Sequence, residues 1–599
     1  MRFRGFLIFL FLVAAAIPVN AFSDDALFPL SGDLVITSSF GEFRLSHPHG
    51  GIDLRAPEGT IVVAPKDGYV WRIKTSCYGN GKSLYIKGDD GKIYMFMHLA
   101  GFVQKIFDRV FSEQLKTLRY SQDVFLEPSE IPVKRGELVG YTGKSGTDIA
   151  HLHYEVRDGN NCPTNPLLKH KINDTTPPTI TRVALVPLGV NSTADGWVGP
   201  SVKAPKGKAV EFTASDKVGI AAEIEDSIPP SDRWLAPYRA SLKSGETVLF
   251  NVEMDGFCYE NRSIEFLVYH YGLLEDGHFL RLYSPEFLAN ASVSFWKNLG
   301  GVINVDGDKE LSLEACDAGG NCSSVKIKIS LDSHAVKKCE KPSEVFLSSD
   351  FVARCAGDGI ERIGCGEKGT IKTDDQEISY GCPAVGESIV LDPWSLEVDN
   401  DALYGKQIIA LGRVVRGIDL LKLDLVKISD AVKVLPSELL SERGLKLCIT
   451  SNAPFPKDAG IYRIGRDDKS WLEGAEFSGD MKKLCAHVLR SGTFAVFEDN
   501  IAPKIGDARI VKGGWPQMWF VEFSLSDVGS GINPDKISAT FDGTPLVVEF
   551  MPYEGRARAY LHFVPSAGPE AGVHEISITA QDNADNASSS VQKTSFNPR

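Results

Sequence analysis

Short apolar or alternating runs, cut by Gly and Pro, fill the chain from about residue 28 to 168: LVITSSF, IVVAP, GYVWRI, KSLYIK, IYMFMH, ELVGYTG and HLHYEV. Runs of this length between turn residues read as strands, so this segment is predicted to be a β-rich domain. One stretch breaks the rhythm. In GFVQKIFDRVFSEQLKTLRY, Phe102, Ile106 and Val110, then Phe107 and Phe111, recur at helical spacing, which predicts an inserted amphipathic helix over about 103–119. Such a helix is either a lid or partner-docking element, or a surface helix packed on the sheet.

Past Asp174 the strand pattern continues and a repeat emerges. VEFTASDKVGI at 210–220 matches VEFSLSDVGSGI at 521–532. Each is preceded by a similar phrase, DTTPPTITRVALV at 174–186 and DNIAPKIGDARIV at 499–511, and each module closes alike, with LEACDAGGNCS at 313–323 and TAQDNADNAS at 579–588. Three landmarks in the same order predict two copies of one β-sandwich module of the immunoglobulin-like class, the first with an insertion around 255–300. Between them LKLCITSNAP, GIYRIG, KSWLEGAEF, KLCAHVLR and GTFAVFED read as strands of another sandwich. The expected architecture is mainly β: a first domain over 22–170, sandwiches over 171–335, 385–498 and 499–599, and a Cys-rich connector at 336–384. No sandwich concentrates His, Asp and Glu, so these modules are expected to bind, space or orient.

The N-terminus changes the compartment. Arg2 and Arg4, the apolar run FLIFLFLVAAAI and the small residues ending at Ala21 form a signal-peptide pattern over 1–21. The run is too short to span a bilayer, which needs about 20 apolar residues, so export is expected without a stable membrane span afterwards. The destination is the periplasm, the cell envelope or the extracellular space. Losing the two arginines takes the net charge from -14 to -16, which leaves no basic footprint for nucleic acid. Eleven cysteines in an exported chain read mostly as disulfides. The expected pairs are Cys77 with Cys162, Cys316 with Cys322 and Cys448 with Cys485. Cys258, Cys339, Cys355, Cys365 and Cys382 remain, and the odd total leaves at least one thiol unpaired or bonded to another chain.

Candidate chemistry sits in the first domain. In HLHYEV, extended backbone puts His151, His153 and Glu155 on one face and Leu152, Tyr154 and Val156 on the other. The polar face is either a reactive site or an ordinary half-buried strand surface. In HPHGGID at 47–53, His49 precedes Asp53 by four residues in a Gly-rich turn. Zinc takes imidazole nitrogen and carboxylate oxygen, and a catalytic site needs three protein ligands with one position open. His49, Asp53 and one of the two strand histidines would make that set, with His47 as a competitor for His49. A second HxxxD, His170 and Asp174, falls at the domain exit beside PPT and is read as coincidental. HExxH is absent, since His574 and Glu575 lead into Ile576, Ser577 and Ile578. The GKS triplets at 81–83 and 143–145 lack the preceding glycine of a P-loop.

HGGIDLRAPEGTIVVAPKDGYV, YMFMHL with His98, and VKRGELVGYTGKSGTDIAHLHYEVR together resemble the lysostaphin and LytM-type zinc endopeptidases of bacterial cell walls, over roughly residues 30–168. The segment after His98 is longer than in that family. The resemblance implies the duplicated hybrid motif fold, barrel-like in its sheets, and one Zn2+ ion held by His49, Asp53 and His153. It implies catalytic roles for His98 and His151: His151 as the base and His98 as oxyanion stabiliser or proton shuttle, or the reverse. The implied function is hydrolysis of peptide cross-links in peptidoglycan, with stem peptides and cross-bridges as partners and the β-sandwich modules attaching the enzyme to its substrate or to an envelope protein. The alternatives are a non-catalytic peptidoglycan-binding or regulatory protein and a surface adhesion protein.

Overall fold

A computed structural model describes residues 26–597, apart from 33, 45–46, 171, 232, 287–292, 333–344, 350, 357–358, 374–375, 401, 404, 415–424, 438–439 and 466–469. The signal-peptide stretch and Cys339 therefore lie outside the described residues. The fold is mostly β, with an N-terminal domain followed by several sandwich-like pairs of sheets. Among the described residues no helix is long and apolar enough to cross a membrane.

The N-terminal domain is built on a nine-stranded sheet whose main path runs Ile36–Ser38, Ile52–Arg55, His151–Arg157, Ile93–Met97, Ser83–Gly88, Gly68–Thr75 and Gln122–Phe125. A three-stranded sheet of Ile61–Val63, Leu138–Thr142 and Leu99–Phe102 packs beside it. Along His151–Arg157 the apolar set Leu152, Tyr154 and Val156 enters the main core with Leu54, Phe96 and Ile86. The alternating polar set is buried too: His153, Glu155 and Arg157 are all under a tenth exposed. This second face is covered because the Arg157 guanidinium lies 5.5 Å from the ring of Tyr85 and 5.1 Å from that of Tyr259, a residue of the following module. Buried charge on a strand requires such partners.

The inserted helix forms over Gln104–Thr117 and ends at Leu118 in the left-handed conformation. Its apolar stripe, Ile106, Phe107, Val110 and Phe111, is buried. Part of that burial comes from the far end of the chain, where Tyr560 packs at 5.3 Å from Phe111 and 6.3 Å from Phe107 between ring centroids. The helix thus docks the C-terminal module, and one hydrophobic core runs through both. Beside it Glu549 receives the Lys82 ammonium and hydrogen bonds from Tyr120 (3.0 Å) and Tyr560 (2.7 Å). At Gly101 any side chain would strike the carbonyl of Trp515, so the close approach of the two backbones requires glycine there.

Strand pairing changes the register of the repeat. In the first copy Thr179 pairs with Glu225 and Ile180 with Ile224; in the last, Lys504 pairs with Ser526 and Ile505 with Leu525. The structural counterpart of the strand before Asp527 is therefore the one before Asp226, whereas the sequence phrases had aligned Asp216 with Asp527. The first copy contains a 17-residue strand, Ala209–Glu225, which passes through Asp216 in a left-handed conformation (φ 58°). Its first half pairs with Cys322–Leu331 and its second with Thr179–Pro187, so the VEFTAS phrase belongs to a different half from its apparent partner.

Two further expectations are corrected. Strands Gly369–Lys372 and Gln376–Gly381, from the stretch read as a connector, join the sheet that continues with Ile409–Val414, Val432–Leu435 and Gly492–Glu498. Cys162 is bonded to Cys258, not to Cys77. Cys77 is a free, buried thiol that burial pushes up to about 12, which removes its nucleophilic form at neutral pH. The expected pairs Cys316–Cys322 and Cys448–Cys485 are present, together with Cys365–Cys382. The pairing was misread because Cys258 lies in the insertion of the first sandwich, which folds back over the N-terminal domain: the amide of Asn165 donates to Asp255 O at 2.9 Å, and that of Phe257 to Pro163 O at 3.1 Å.

The interface of the C-terminal module yields a direct test. Glu549→Ala leaves the Lys82 ammonium and two tyrosine hydroxyls buried without their acceptor, a loss of about 3–5 kcal/mol for a broken buried pair. Scanning calorimetry is expected to show the transition that unfolds the N-terminal domain and this module lowered by several degrees, whereas Glu575→Ala, on the exposed face of the strand Gly572–Gln581, leaves it in place.

Candidate metal centre

The site begins with the pairing of two strands. Antiparallel register sets His153 directly opposite Asp53, and directly opposed side chains on one face lie within reach of each other. His153 Nδ1 is 2.9 Å from Asp53 Oδ1. His49 enters from the loop before Ile52–Arg55, and its Nε2 lies 2.9 Å from His153 Nδ1 and 3.2 Å from Asp53 Oδ1. The loop can run this close because Gly51 has no side chain: a Cβ there would collide with the Tyr154 carbonyl and with Glu155 Cγ. The three ligand atoms lie within 4.8 Å of one another.

Each ligand is held from behind. His49 Nδ1 is 2.7 Å from the carbonyl oxygen of Ser39; a carbonyl only accepts, so Nδ1 carries the proton and Nε2 presents its lone pair to the cluster. His153 Nε2 meets Glu155 Oε1 at 3.0 Å, which frees Nδ1 to face Asp53 and His49. Glu155 is anchored in turn by Arg157 and by the Tyr259 hydroxyl at 3.1 Å. Arg44 approaches the second oxygen of Asp53 at 3.4 Å.

The electrostatics follow from this crowding. Burial alone would raise the Asp53 carboxyl, but the imidazoles of His49 and His153 beside it hold it well below the usual carboxylate range. Burial would likewise lower His153; hydrogen bonds to Asp53 and Glu155 outweigh it and bring the ring up to about 9. Glu155, raised by burial, is pulled down to about 2 by Arg157 and His153. Two imidazoles and one carboxylate form the nitrogen and oxygen donor set that zinc accepts, and a carboxylate bonded to the far nitrogen of one imidazole is the usual way of fixing such a ligand.

His151 and His98 stand beside the three. His151 Nε2 is 3.6 Å from Asp53 Oδ1, and its Nδ1 is 2.9 Å from the carbonyl of Ile149. His98, in a left-handed conformation (φ 61°), places Nδ1 3.0 Å from the carbonyl of Ser145. Its ring centroid is 4.7 Å from that of His151 and 6.1 Å from that of His153. Burial, then the neighbouring His151 and His153, lower His98 to about 3, so it is neutral at ordinary pH. With Nδ1 of both rings tied to carbonyls, each offers Nε2 as a proton acceptor.

The five residues predicted from sequence, His49, Asp53, His98, His151 and His153, are brought together. His47 is not part of the cluster: its Nδ1 lies 2.8 Å from the carbonyl of Pro48 and its ring meets the edge of Tyr259. His170 stacks on Phe28 and approaches the Tyr154 hydroxyl at 3.1 Å, away from the site. Sequence reasoning placed Glu155 on the right face but gave it no role, and it missed Ser39, Arg157 and Tyr259. The alternation HxHxExR carried a signal for Glu155 and Arg157. Nothing in the sequence pointed to Tyr259, 104 residues from the carboxylate it touches.

Comparison with known proteins agrees with this geometry. Residues 47–115 match Peptidase family M23. The DD-carboxypeptidase/endopeptidase Mpg of Neisseria meningitidis serogroup B is 32% identical over 140 residues, 22% of this chain and 26% of that protein. The cell division protein DipM of Caulobacter vibrioides is 27% identical over 130 residues, 22% of this chain and 17% of that protein. Among solved structures, a mutant catalytic domain of the prophage-encoded M23 protein EnpA from Enterococcus faecalis is 27% identical and covers 23% of this chain and 92% of that one, with a TM-score of 0.18, too low for the superposition to carry an argument. The chain spans about a quarter of the length of the curated Mpg relatives. Its N-terminal region is a Peptidase M23 domain.

The backing of His153 sets a measurable expectation. Glu155→Gln keeps a hydrogen-bond acceptor for Arg157 but weakens the hold on Nε2, so zinc affinity, measured by competition with a chromophoric chelator, is expected to fall about 10–100-fold. Tyr259→Phe removes a single hydrogen bond to Glu155 and is expected to cost less.

Proposed function

We propose that this chain is an exported, zinc-dependent endopeptidase that hydrolyses peptide cross-links of bacterial peptidoglycan, with His49, Asp53 and His153 as the zinc ligands and His151 and His98 as the catalytic histidines. The observation that carries this reading is the convergence of three ligand atoms and two further imidazoles at one end of the strand His151–Arg157. When bound, the ion lowers the pKa of a coordinated water to about 7 and polarises the scissile carbonyl. The chain's own groups do the rest. His151, partly exposed beside Asp53, takes a proton at Nε2 and returns it to the leaving amine. His98, neutral and half-buried beside His151, orients the substrate carbonyl or relays that proton, and these two assignments are interchangeable. Glu155, Arg157 and Tyr259 hold His153 in place throughout.

Several observations support the wider reading. The relatives are described as the DD-carboxypeptidase/endopeptidase Mpg and the cell division protein DipM, descriptions that accord with cell-wall peptide hydrolysis. The disulfides fit an oxidising compartment outside the cytosol. The sandwiches serve in this reading to hold the peptidase domain at its substrate or against an envelope protein. The complete ligand set favours hydrolysis over a binding-only role.

The test is to incubate the mature protein with defined cross-linked muropeptides, with and without a chelator, and to identify the products by mass. Cleavage is expected, abolished by chelation and restored by one equivalent of zinc. His151→Ala is expected to retain the metal while kcat falls about 10²–10⁴-fold, the usual contribution of a general base. A zinc-loaded protein that leaves every muropeptide intact from pH 5 to pH 9 refutes the proposal.

A further inference from the structure

Two acidic clusters lie outside the peptidase site, one in each copy of the repeated module. Carboxylate oxygens of Asp174, Asp226 and Asp317 lie within 4.8 Å of one another, and so do those of Asp499, Asp527 and Asp582. The two sets occupy equivalent places. Asp226 and Asp527 each follow directly on the strand that pairs with the module's opening segment, by the register Thr179 to Glu225 and Lys504 to Ser526. Asp317 and Asp582 each follow the first strand of the closing hairpin, where Cys316 pairs with Cys322 and Gln581 with Ala587. The frame around them is duplicated as well. The Asn321 side-chain amide donates to the Asp174 carbonyl (3.1 Å) and to Asp317 (2.8 Å), and that of Asn586 to the Asp499 carbonyl (2.8 Å) and to Asp582 (2.8 Å).

Clustered acids are common without a ligand, and what sets these apart is unmet acceptor capacity in a buried place. Asp226 is 7% exposed, and among the described residues the one hydrogen bond that reaches its carboxylate comes from the amide of its own neighbour Ser227, at 2.9 Å. Asp527 Oδ1 is buried and has no hydrogen-bond partner among the described residues. Among the described residues no Lys, Arg or His forms an ion pair with any of the six carboxylates. Three carboxylates confined in this way repel one another and lack the counter-charge that buried acids require. The donors are all oxygens, the ligand type of hard divalent cations, and calcium accepts six to eight of them at about 2.3–2.6 Å with carbonyls and waters completing the shell. Room for those waters is present at the first cluster, whose three aspartates line a cavity of about 460 Å³ together with Ser39, Asn165 and Tyr238.

We propose that each copy of the repeated module binds one calcium ion, through Asp174, Asp226 and Asp317 in the first and Asp499, Asp527 and Asp582 in the last. Both sites are at joints. Asp174 follows the short helix Pro166–Leu168 that closes the N-terminal domain, and Asp499 directly follows the strand Gly492–Glu498 of the preceding sandwich. An ion there fastens the segment that opens a module to the hairpin that closes it, and so stiffens the chain where one unit passes into the next. This inference is independent of the peptidase reading.

The full mature chain, saturated with zinc and freed of other metals, is titrated with calcium chloride by calorimetry at constant free zinc. Two calcium ions per chain are expected. Asp226→Asn and Asp527→Asn, which keep shape and hydrogen-bonding capacity, each remove one ion, the double variant removes both, and Asp507→Asn at an exposed position removes none. Calcium at about 100 times its Kd raises the melting transition of the parent by a few degrees and leaves that of the double variant unmoved. Absence of uptake at millimolar calcium overturns the proposal, as does a double variant that still takes up two ions. Magnesium binding as tightly as calcium overturns the choice of ion.

Discussion

The antiparallel register that sets His153 opposite Asp53 is the constraint from which the metal centre follows. Because side chains alternate along a strand, a slip of one residue would turn His153 into the apolar core and bring Leu152 or Tyr154 to the polar face. The register is fixed by what lies on the other side, where Leu152, Tyr154 and Val156 fill a core with no exposure to spare. Packing on one face thus holds the chemistry on the other. His49 is added to this pair by a loop that only glycine allows to lie so near the strand.

The polar face owes its burial to a distant part of the chain. Tyr259 covers Arg157 and bonds Glu155, and the Cys162–Cys258 bond fastens the insertion that carries it to the end of the N-terminal domain. A cross-link that closes so long a loop restricts the unfolded chain by about 4–5 kcal/mol in the entropic description. The first sandwich is therefore part of the support of the metal centre. The inserted helix anchors the last module through a shared core, and Lys82 does so through Glu549. The N-terminal domain is gripped by the module that follows it and by the last module of the chain, and the joints that open these modules carry the acidic clusters.

Sequence pattern and structure part company where similarity of letters and similarity of place differ. VEFTAS and VEFSLS are alike because both alternate on a half-buried strand, and many strands satisfy that requirement. In the strand Ala209–Glu225 only the first half alternates, Val218 to Ala222 in the second being buried throughout, and only the pairing partners reveal that the second half corresponds to the strand before Asp527. Cysteine pairing fails for the same reason: spacing limits which thiols can meet in a hairpin, as for Cys316 and Cys322, but it says nothing about a loop that returns from another module to meet Cys162.

Local sequence determined the strands, the inserted helix, the β class and the five residues that gather at the centre, because these follow from side-chain periodicity, turn chemistry and motif order within one domain. Tertiary structure decided which nitrogen of each histidine faces the cluster, the support of His153 by Glu155, Arg157 and Tyr259, the docking partner of the helix, the fate of Cys77 and the meeting of Asp226 with Asp174 and Asp317. Each of these depends on groups far apart in the chain. A side chain's own neighbours set its secondary structure, but its hydrogen-bond partners, burial and charge environment are set by whatever the fold brings alongside it.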